Sequence, residues 1–285
     1  MMHIIRLGTA VLFCVVTVLF VMVWTGVQAE KDDTYPVITF PDEILDVSLH
    51  PGEEELLAGV QAYDEKDGNL TDSVMVESIS NFLEPGISNV TYAVVDSNHH
   101  VTTATRKIRY TEYVPPQFTL NNDLLFSLTE AINLTGRLGA VDVIDGNISG
   151  RVKISTNDTI TAGRVGVYQI SMQASNSKGD VIYLNLPLYI EGIDPYAPEI
   201  HLSKYIIYTK VGEMVQLKDY IGWAGYERNV SYNIEPIVKD LTDKVVYETT
   251  LDINTPGVYQ ADYYVKDEDG REGHSILIIV VEEEQ

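Results

Sequence analysis

Alternation of apolar and polar residues is the dominant pattern of the chain after residue 30, and it predicts β-strands. The clearest stretches each follow a glycine turn and run through Val90–Val94, Tyr168–Ala174 and Tyr259–Val265. In each of them every second residue is apolar, which is typical of a strand with one buried face. A polar turn closes each stretch, and nothing beyond residue 30 keeps a helical period over three turns. The pattern therefore predicts an all-β protein.

The strands recur in three copies with a period near 80 residues. The acidic segment Asp64–Thr71 of the first copy matches Asp142–Ser149 of the second, and both contain Asp-Gly-Asn, which favours a tight turn. Short strands broken by turns, in units of this size, predict seven-strand sandwiches. Proline in each linker stiffens the chain, so we expect separate folding units with little apolar contact between them. The predicted domains are 33–111, 114–191 and 196–283, after an N-terminal segment 1–29.

Three motifs of these copies carry a family resemblance. They read Pro-x-[Ile/Phe], Asp-x-x-Asp-Gly-Asn-[Leu/Ile]-[Thr/Ser] and Pro-Gly-x-Tyr-x-x-x-Tyr-x-Val-x-Asp. Together they resemble the bacterial immunoglobulin-like repeat of Gram-positive cell-surface proteins, which also occurs in some insecticidal crystal toxins. The resemblance covers nearly all of residues 33–283. It implies three tandem immunoglobulin-like β-sandwiches that serve as an extracellular spacer or adhesion module and not as a catalyst.

Each copy departs from the motifs at one place. Ser88 and Asn89 replace the usual aromatic residue after the glycine turn of the first copy. The second copy lacks the proline before Gly166. The third copy reads Gly225–Ser231 where the acidic loop is expected. We therefore expect the third domain to lack the acidic loop.

The N-terminal segment has the features of a targeting sequence for export. Leu7–Trp24 is apolar and uncharged, and it lies between Arg6 and the acidic Glu30–Asp33. Such a run can span a bilayer as a transmembrane helix through residues 7–29, with the remainder of the chain on the extracellular side. Alternatively it is a signal peptide that is cleaved after Ala29, because small residues precede that position; the chain would then be secreted.

Charge and cysteine content narrow the class of protein. The chain has 19 Lys and Arg against 42 Asp and Glu, a net charge of −23, so nucleic acid is an unsuitable partner. The one cysteine, Cys14, lies in the apolar N-terminal run, which excludes an intramolecular disulfide and a thiolate metal site. An exported chain without disulfides favours a bacterial source.

Calcium is the one cofactor that the sequence raises. Its candidate ligands are the carboxylates Asp64, Glu65 and Asp67, with Asp142 and Asp145 in the second copy. The spacing does not match an EF-hand loop. The alternative is that these side chains only build turns through hydrogen bonds to the backbone. The sequence favours the turn interpretation and leaves calcium open.

Three functions remain as hypotheses. The first is a non-enzymatic surface stalk or adhesion array with a protein or glycan ligand, and the second is a subunit that docks another exported protein by strand addition. The third is a carbohydrate-processing enzyme with paired carboxylates. No nucleophile elbow, phosphate-binding loop or zinc-protease motif occurs, so we expect no catalytic residues. The histidines after residue 30, which lie in none of these motifs, are His50, His99, His100, His201 and His274.

Overall fold

A computed structural model describes residues 2–30, 34–156, 160, 164–228 and 237–283. Asp33, at the predicted start of the first domain, and residues 229–231, at the end of the expected third loop, lie outside the described residues. The chain forms two compact units, Met1–Thr111 and Glu112–Gln285.

The first element is a helix, α1, Met2–Glu30. Apolar side chains from Val11 to Trp24 are exposed along it. Across the residues that the structure describes, no helix combines the length and hydropathy that a membrane crossing requires.

The remainder of the first unit is a two-sheet sandwich. The strands order as β1-β3-β4 in one sheet and β2-β7-β6-β5 in the other, with β2 parallel to β7 and the other pairs antiparallel. A single helical turn, α2, Glu53–Leu56, precedes β3, and a 3-10 turn, η1, Thr71–Ser73, follows β4. The strands are β1 Val37–Thr39, β2 Ile44–Val47, β3 Gln61–Asp64, β4 Gly68–Asn69, β5 Met75–Ile79, β6 Ile87–Val95 and β7 Val101–Tyr110.

The second unit contains two more sandwiches with the same strand order. Their sheets are β8-β10-β11 with β9-β14-β13-β12, and β15-β17-β18 with β16-β21-β20-β19. The 3-10 turns η2 Ser149–Arg151, η3 Leu217–Tyr220 and η4 Thr242–Lys244 lie among them. The strands are β8 Gln117–Leu120, β9 Leu125–Ser127, β10 Leu138–Asp142, β11 Gly146–Asn147, β12 Lys153–Thr156, β13 Gly166–Ser175, β14 Val181–Glu191, β15 Glu199–Leu202, β16 Ile206–Lys210, β17 Ile221–Arg228, β18 Ile237–Asp240, β19 Val246–Thr249, β20 Gly257–Lys266 and β21 Glu272–Glu282.

The predicted all-β class and the sandwich architecture are confirmed. In β6 the side chains of Val90, Tyr92 and Val94 are fully buried between the sheets, and Asn89 and Thr91 point the other way. β13 and β20 repeat this alternation, as their sequences predict. Each sandwich therefore buries the apolar face of its central strand. The limits of the three domains stay predictions.

The second and third sandwiches differ from the expected separation, because they share one buried cluster. Phe118 of the second and Tyr205 of the third both belong to it. The Phe118 amide donates to the Tyr208 hydroxyl at 2.8 Å, and the Ser275 hydroxyl donates to the buried Asp123 carboxylate at 2.7 Å. These contacts come from strands and loops, whereas the expectation of little contact rested on the linkers alone.

Candidate functional site

The acidic loops between β3 and β4 and between β10 and β11 are turns held by a buried carboxylate. Asp64 Oδ1 accepts the backbone amides of Lys66 at 2.8 Å and Asp67 at 2.9 Å. Asp142 Oδ1 accepts the amides of residues 144 and 145 at 2.9 and 2.8 Å in the same way. Side-chain oxygens that bond the next two or three amides are the usual chemistry of an Asx turn. The first carboxylate of each loop therefore has a structural role.

The second carboxylate of each loop fastens the loop to the hairpin that joins the two longest strands. Asp67 accepts both the amide and the hydroxyl of Ser97, each at 2.8 Å. Asp145 accepts both groups of Ser177 at 2.6 Å, and Arg151 donates to it at 2.5 Å. Burial raises the pKa of Asp145, but the hydrogen bonds from Ser177 and the Arg151 charge outweigh it, so the pKa lies below its ordinary value. We call this arrangement the loop clamp.

The hairpin itself has the same construction in all three sandwiches. A buried side-chain oxygen accepts the amides two and four residues later: Asp96 from residues 98 and 100, Asn176 from 178 and 180, and Asp267 from 269 and 271, at 2.7–3.0 Å. The fourth residue of each turn has a positive φ. Glycine supplies it in the second and third sandwiches, with φ of 87° and 83°, and His99 supplies it in the first, with φ of 67°.

We expect His99→Gly to stabilise the first unit, because a residue with a Cβ is strained in this left-handed conformation. The expected gain is about 0.5–1 kcal/mol, since glycine also loses more chain entropy on folding. Thermal or urea unfolding of the full chain measures it. Gly270→Ala is the matched control in the third sandwich and is expected to lower stability; equal effects of opposite sign would support the strain, and a destabilised His99→Gly variant would contradict it.

An aromatic residue from the linker packs on the last residue of each hairpin turn. The pairs are Tyr35 with His100 at 4.5 Å between ring centroids, Tyr113 with Asp180 at 2.5 Å from the hydroxyl to Oδ2, and Tyr196 with Arg271 at 6.0 Å from the guanidinium to the ring. Burial, and then the Asp180 carboxylate, raise the pKa of Tyr113. The linker tyrosine, the hairpin turn and the acidic loop thus form one end of a sandwich.

The third sandwich keeps part of the acidic loop at a place that sequence reasoning missed. Gly225, where the loop was expected, lies within β17 instead. The counterpart of Asn69 is Asp240, whose Oδ1 accepts the amide of Thr242 at 2.9 Å, as Asn69 does for Thr71. The signal in the sequence was Asp-Leu-Thr at 240–242, which matches Asn-Leu-Thr at 69–71 but follows a longer connection. The expectation that the third domain lacks the acidic loop stays a prediction, because residues 229–236 between β17 and β18 lie outside the described residues.

The calcium candidates are brought together within each loop but are engaged by protein groups. Asp64, Asp67, Asp142 and Asp145 accept the hydrogen bonds given above, and Glu65 is exposed at the first loop. Among the described residues, no group of three or more His, Cys, Asp or Glu side chains is placed to hold a metal ion. These hydrogen bonds support the turn interpretation, and calcium binding stays an open hypothesis.

Melting the full chain with excess calcium and then with chelator tests the calcium prediction. A ligand that binds only the folded state at a hundredfold excess over its Kd adds about 2.7 kcal/mol. We expect no shift, because ligation would have to displace the amide and hydroxyl donors from the clamp. A rise of that size that disappears in Asp67→Asn or Asp145→Asn would establish calcium ligands in the loops. Magnesium at equal ionic strength is the control for screening.

A second surface feature lies on the outer face of the three-stranded sheet of the first unit. Tyr63 is 62% exposed and stands between Val37 of β1 and Asn69 of β4, its partners in the strand register. Thr39 and Gln61 form the next exposed pair along the same face. Tyr35 also contributes to the shallow cavity over these residues, whose volume is about 1050 Å³. We call it the tyrosine face.

A third feature is a histidine between the second and third sandwiches. His274 of β21 contacts Asp262 of β20 at 3.1 Å through Nε2 and Glu191, the last residue of β14, at 3.4 Å through Nδ1. The ring stacks on Tyr264 with centroids 4.6 Å apart. Burial lowers the pKa of His274, but the Asp262 hydrogen bond and the Glu191 carboxylate outweigh it, so the pKa lies above its ordinary value.

Comparisons with known proteins identify the class of the first sandwich. Residues 45–109 match the model of a family described as "Bacterial surface protein, Ig-like domain". The resemblance to bacterial immunoglobulin-like repeats is therefore confirmed for these residues.

One relative and two solved structures extend the comparison. An uncharacterized 81.3 kDa protein of Acholeplasma phage L2 is 24% identical over 249 residues, which are 84% of this chain and 32% of that protein. The chain thus spans about a third of that relative's length. The CBM51-2 and INT domains of Clostridium perfringens ZmpB, in complex with GlcNAc, match 53% of this chain and 26% of theirs, at 20% identity and a TM-score of 0.23. Drosophila N-cadherin EC1-4 matches 90% of this chain and 76% of its own, at 10% identity and a TM-score of 0.21.

Proposed function

We propose that the chain is an exported, non-catalytic surface protein whose immunoglobulin-like domains form a stalk or a ligand-binding array. The observation that carries the proposal is the match of residues 45–109 to an Ig-like domain of bacterial surface proteins. Export would be directed by the apolar run Leu7–Trp24, either as an uncleaved anchor or as a signal peptide removed after Ala29.

The use of polar residues in the sandwiches supports a structural role. Asp64, Asp67 and Asp96 sit at the loop-bearing end of the first sandwich, and each accepts hydrogen bonds from that same sandwich. Asp142, Asp145 and Asn176 do the same in the second. A general acid or a nucleophile needs a side chain that is available to a substrate, whereas these oxygens are committed to turns.

Protease accessibility tests the proposed location. Protease is added to intact cells that express the full chain, and then to cells whose wall has been permeabilised. We expect degradation of the sandwiches without lysis of the membrane, and mass spectrometry of the N-terminus separates an intact Met1 from a new start at Glu30. Full protection together with recovery in the cytosolic fraction would overturn export.

Docking of another exported protein is a second candidate, and one observation favours it. β19, Val246–Thr249, is the edge strand of its sheet, and all four of its residues are exposed. An exposed edge offers unpaired amides and carbonyls to an incoming strand. A photoreactive residue at 246 should then cross-link a partner in envelope fractions, while the same residue at Tyr183, which is 72% exposed on the second sandwich, should not. Equal cross-linking at both positions would count against strand addition.

A further inference from the structure

The tyrosine face of the first unit has an arrangement that its structural role does not require. Strand register places Tyr63, Val141 and Gly225 at the same position of the three sandwiches. Each follows an alanine, and the carbonyl of that alanine accepts a backbone amide from the segment that follows. Because the second sandwich has the smaller Val141 at this position, the fold does not require an exposed aromatic ring there. A second ring, Tyr35, is 60% exposed beside it.

The chemistry around the two rings defines a ligand class. Exposed amides of Gln61 and Asn69 and the hydroxyl of Thr39 line the same cavity. Flat aromatic faces stack on the C–H faces of sugar rings, and amides and hydroxyls exchange hydrogen bonds with sugar hydroxyls. The spacing of paired strands, about 4.8 Å, sets these groups out in rows across the face.

The negative charge of this surface favours neutral sugars over anionic ones. Among the residues that the structure describes, Glu65 is the one charged member of the lining, and it is acidic. The surrounding chain is strongly acidic as well, with a net charge of −23. Anionic polymers would be repelled from such a surface, whereas a neutral chain would not. A protein partner is less well suited, because the apolar side chains of the lining are limited to Val37, Ala62 and the two tyrosines, whereas the core of a protein interface is more extensively apolar.

We propose that the tyrosine face is a binding site for a neutral oligosaccharide, with Tyr63 and Tyr35 as stacking platforms and Gln61 and Asn69 as hydrogen-bond partners. The proposal deepens the proposed function, since it assigns the ligand class of a surface array and rests on that function for its biological setting. Binding itself can be measured in solution, so it succeeds or fails independently of export.

The test uses the full chain in detergent and short neutral oligosaccharides of glucose, galactose, mannose and N-acetylglucosamine, with heparin fragments as the anionic probe. We expect at least one neutral probe to bind with a Kd of about 0.01–1 mM, as is usual for a small exposed site. Tyr63→Val, which installs the residue that the second sandwich has at this position, should weaken that affinity about tenfold. Gln61→Ala should weaken it by a smaller factor.

Two controls keep the test decisive. Tyr183→Val removes an exposed tyrosine from the second sandwich, 72% exposed against 62% for Tyr63, and should leave the affinity unchanged. Unfolding curves of Tyr63→Val that match the unchanged chain exclude a folding defect. The proposal is overturned if no neutral probe binds below about 10 mM, if heparin binds instead, or if Tyr63→Val and Tyr183→Val have equal effects. It is also overturned if sedimentation shows that the face joins two copies of the chain and excludes the sugar.

Discussion

Replacing Arg106 by alanine is expected to destabilise the first unit by about 3–4 kcal/mol, the largest effect that we predict. Arg106 is 3% exposed and lies in β7, where it pairs with Val90. Its Nε donates to the carbonyl of Asp42 and its Nη1 to the carbonyl of Ala58, both at 2.9 Å. The guanidinium also packs over the Phe40 ring, 5.4 Å from its centroid. Truncation would leave two carbonyls without these donors and a cavity beside Phe40.

A leucine at this position separates the hydrogen bonds from the packing. Register places Leu186 and Leu277 at the equivalent positions of the other two sandwiches, and both are fully buried. Arg106→Leu restores apolar volume but not the donors, so we expect a loss of about 2 kcal/mol. If Arg106→Leu is instead more stable than the unchanged chain, the desolvation penalty of the guanidinium exceeds the free energy that its hydrogen bonds contribute.

Amide hydrogen exchange of the full chain measures both substitutions. The protected amides of β6 and β7 report the free energy of unfolding of the first unit, and those of β13 and β14 serve as an internal reference. Arg109→Ala is the matched control, because Arg109 is about half exposed and pairs with the equally exposed Asp46 at 2.7 Å. An exposed ion pair contributes at most about 1 kcal/mol, so this variant should change little.

The buried faces of the strands could be predicted from sequence because they follow a local period. Tyr92 and Tyr263 lie on the apolar side of an alternation of apolar and polar residues that is visible in the sequence alone. The acidic loops were predictable as turns for a similar reason, since Asp-Gly-Asn carries its own turn chemistry. What a short window of sequence encodes is therefore the strand, its buried side and the turn that follows.

The polar contacts that hold the sandwiches together have no such local signature. Asp123 and Ser275 are hydrogen-bonded although 152 residues separate them, and nothing near either residue marks the pair. Arg106 lies on the buried side of a strand, where its charge argues against burial. Two carbonyls from distant loops and the Phe40 ring account for its position. Asp240, the counterpart of Asn69, was missed for another reason, because a longer connection breaks the constant offset between the repeats. The alternation and the repeat offset in the sequence therefore predict neither long-range hydrogen-bond partners nor changes in loop length.

The junction of the second and third sandwiches should weaken as pH rises, and His274 is the group that makes it do so. The pKa of His274 is raised in the folded state above the ordinary value of about 6.5. A raised pKa means that the folded state binds the proton more tightly than the unfolded state. The resulting stability is therefore fully present below about pH 6.5 and is lost as pH rises through the folded pKa.

The groups that face His274 come from both sandwiches. Asp262 and Glu191 supply the negative charge, and Tyr264 covers one side of the ring. Gln260 joins the network by donating to Asp262 at 2.9 Å and accepting from the Tyr189 hydroxyl at 2.7 Å, so the second sandwich is tied in twice. The contribution of His274 should thus be greatest below about pH 6.5.

We expect His274→Gln to lower the free energy of unfolding of the second unit by about 2 kcal/mol near pH 5.5, in line with hydrogen bonds that involve a charged group. Near pH 9 the difference from the unchanged chain should become small. Urea unfolding followed by Trp223 fluorescence measures it, in a Trp24→Phe background that leaves one tryptophan. Midpoints are compared and not intensities, because the Trp223 ring stacks on His201 at 5.6 Å.

His201→Gln is the matched control for the same sandwich. His201 also contacts a carboxylate, Glu199, at 3.1 Å, but both side chains are more than half exposed. An exposed pair is screened by water, so its removal should change the unfolding midpoint little at either pH. Loss of stability in His274→Gln that is equal at pH 5.5 and pH 9 would point to packing on Tyr264 alone. Loss confined to the acidic range shows that the proton on His274, held between Asp262 and Glu191, joins the two sandwiches.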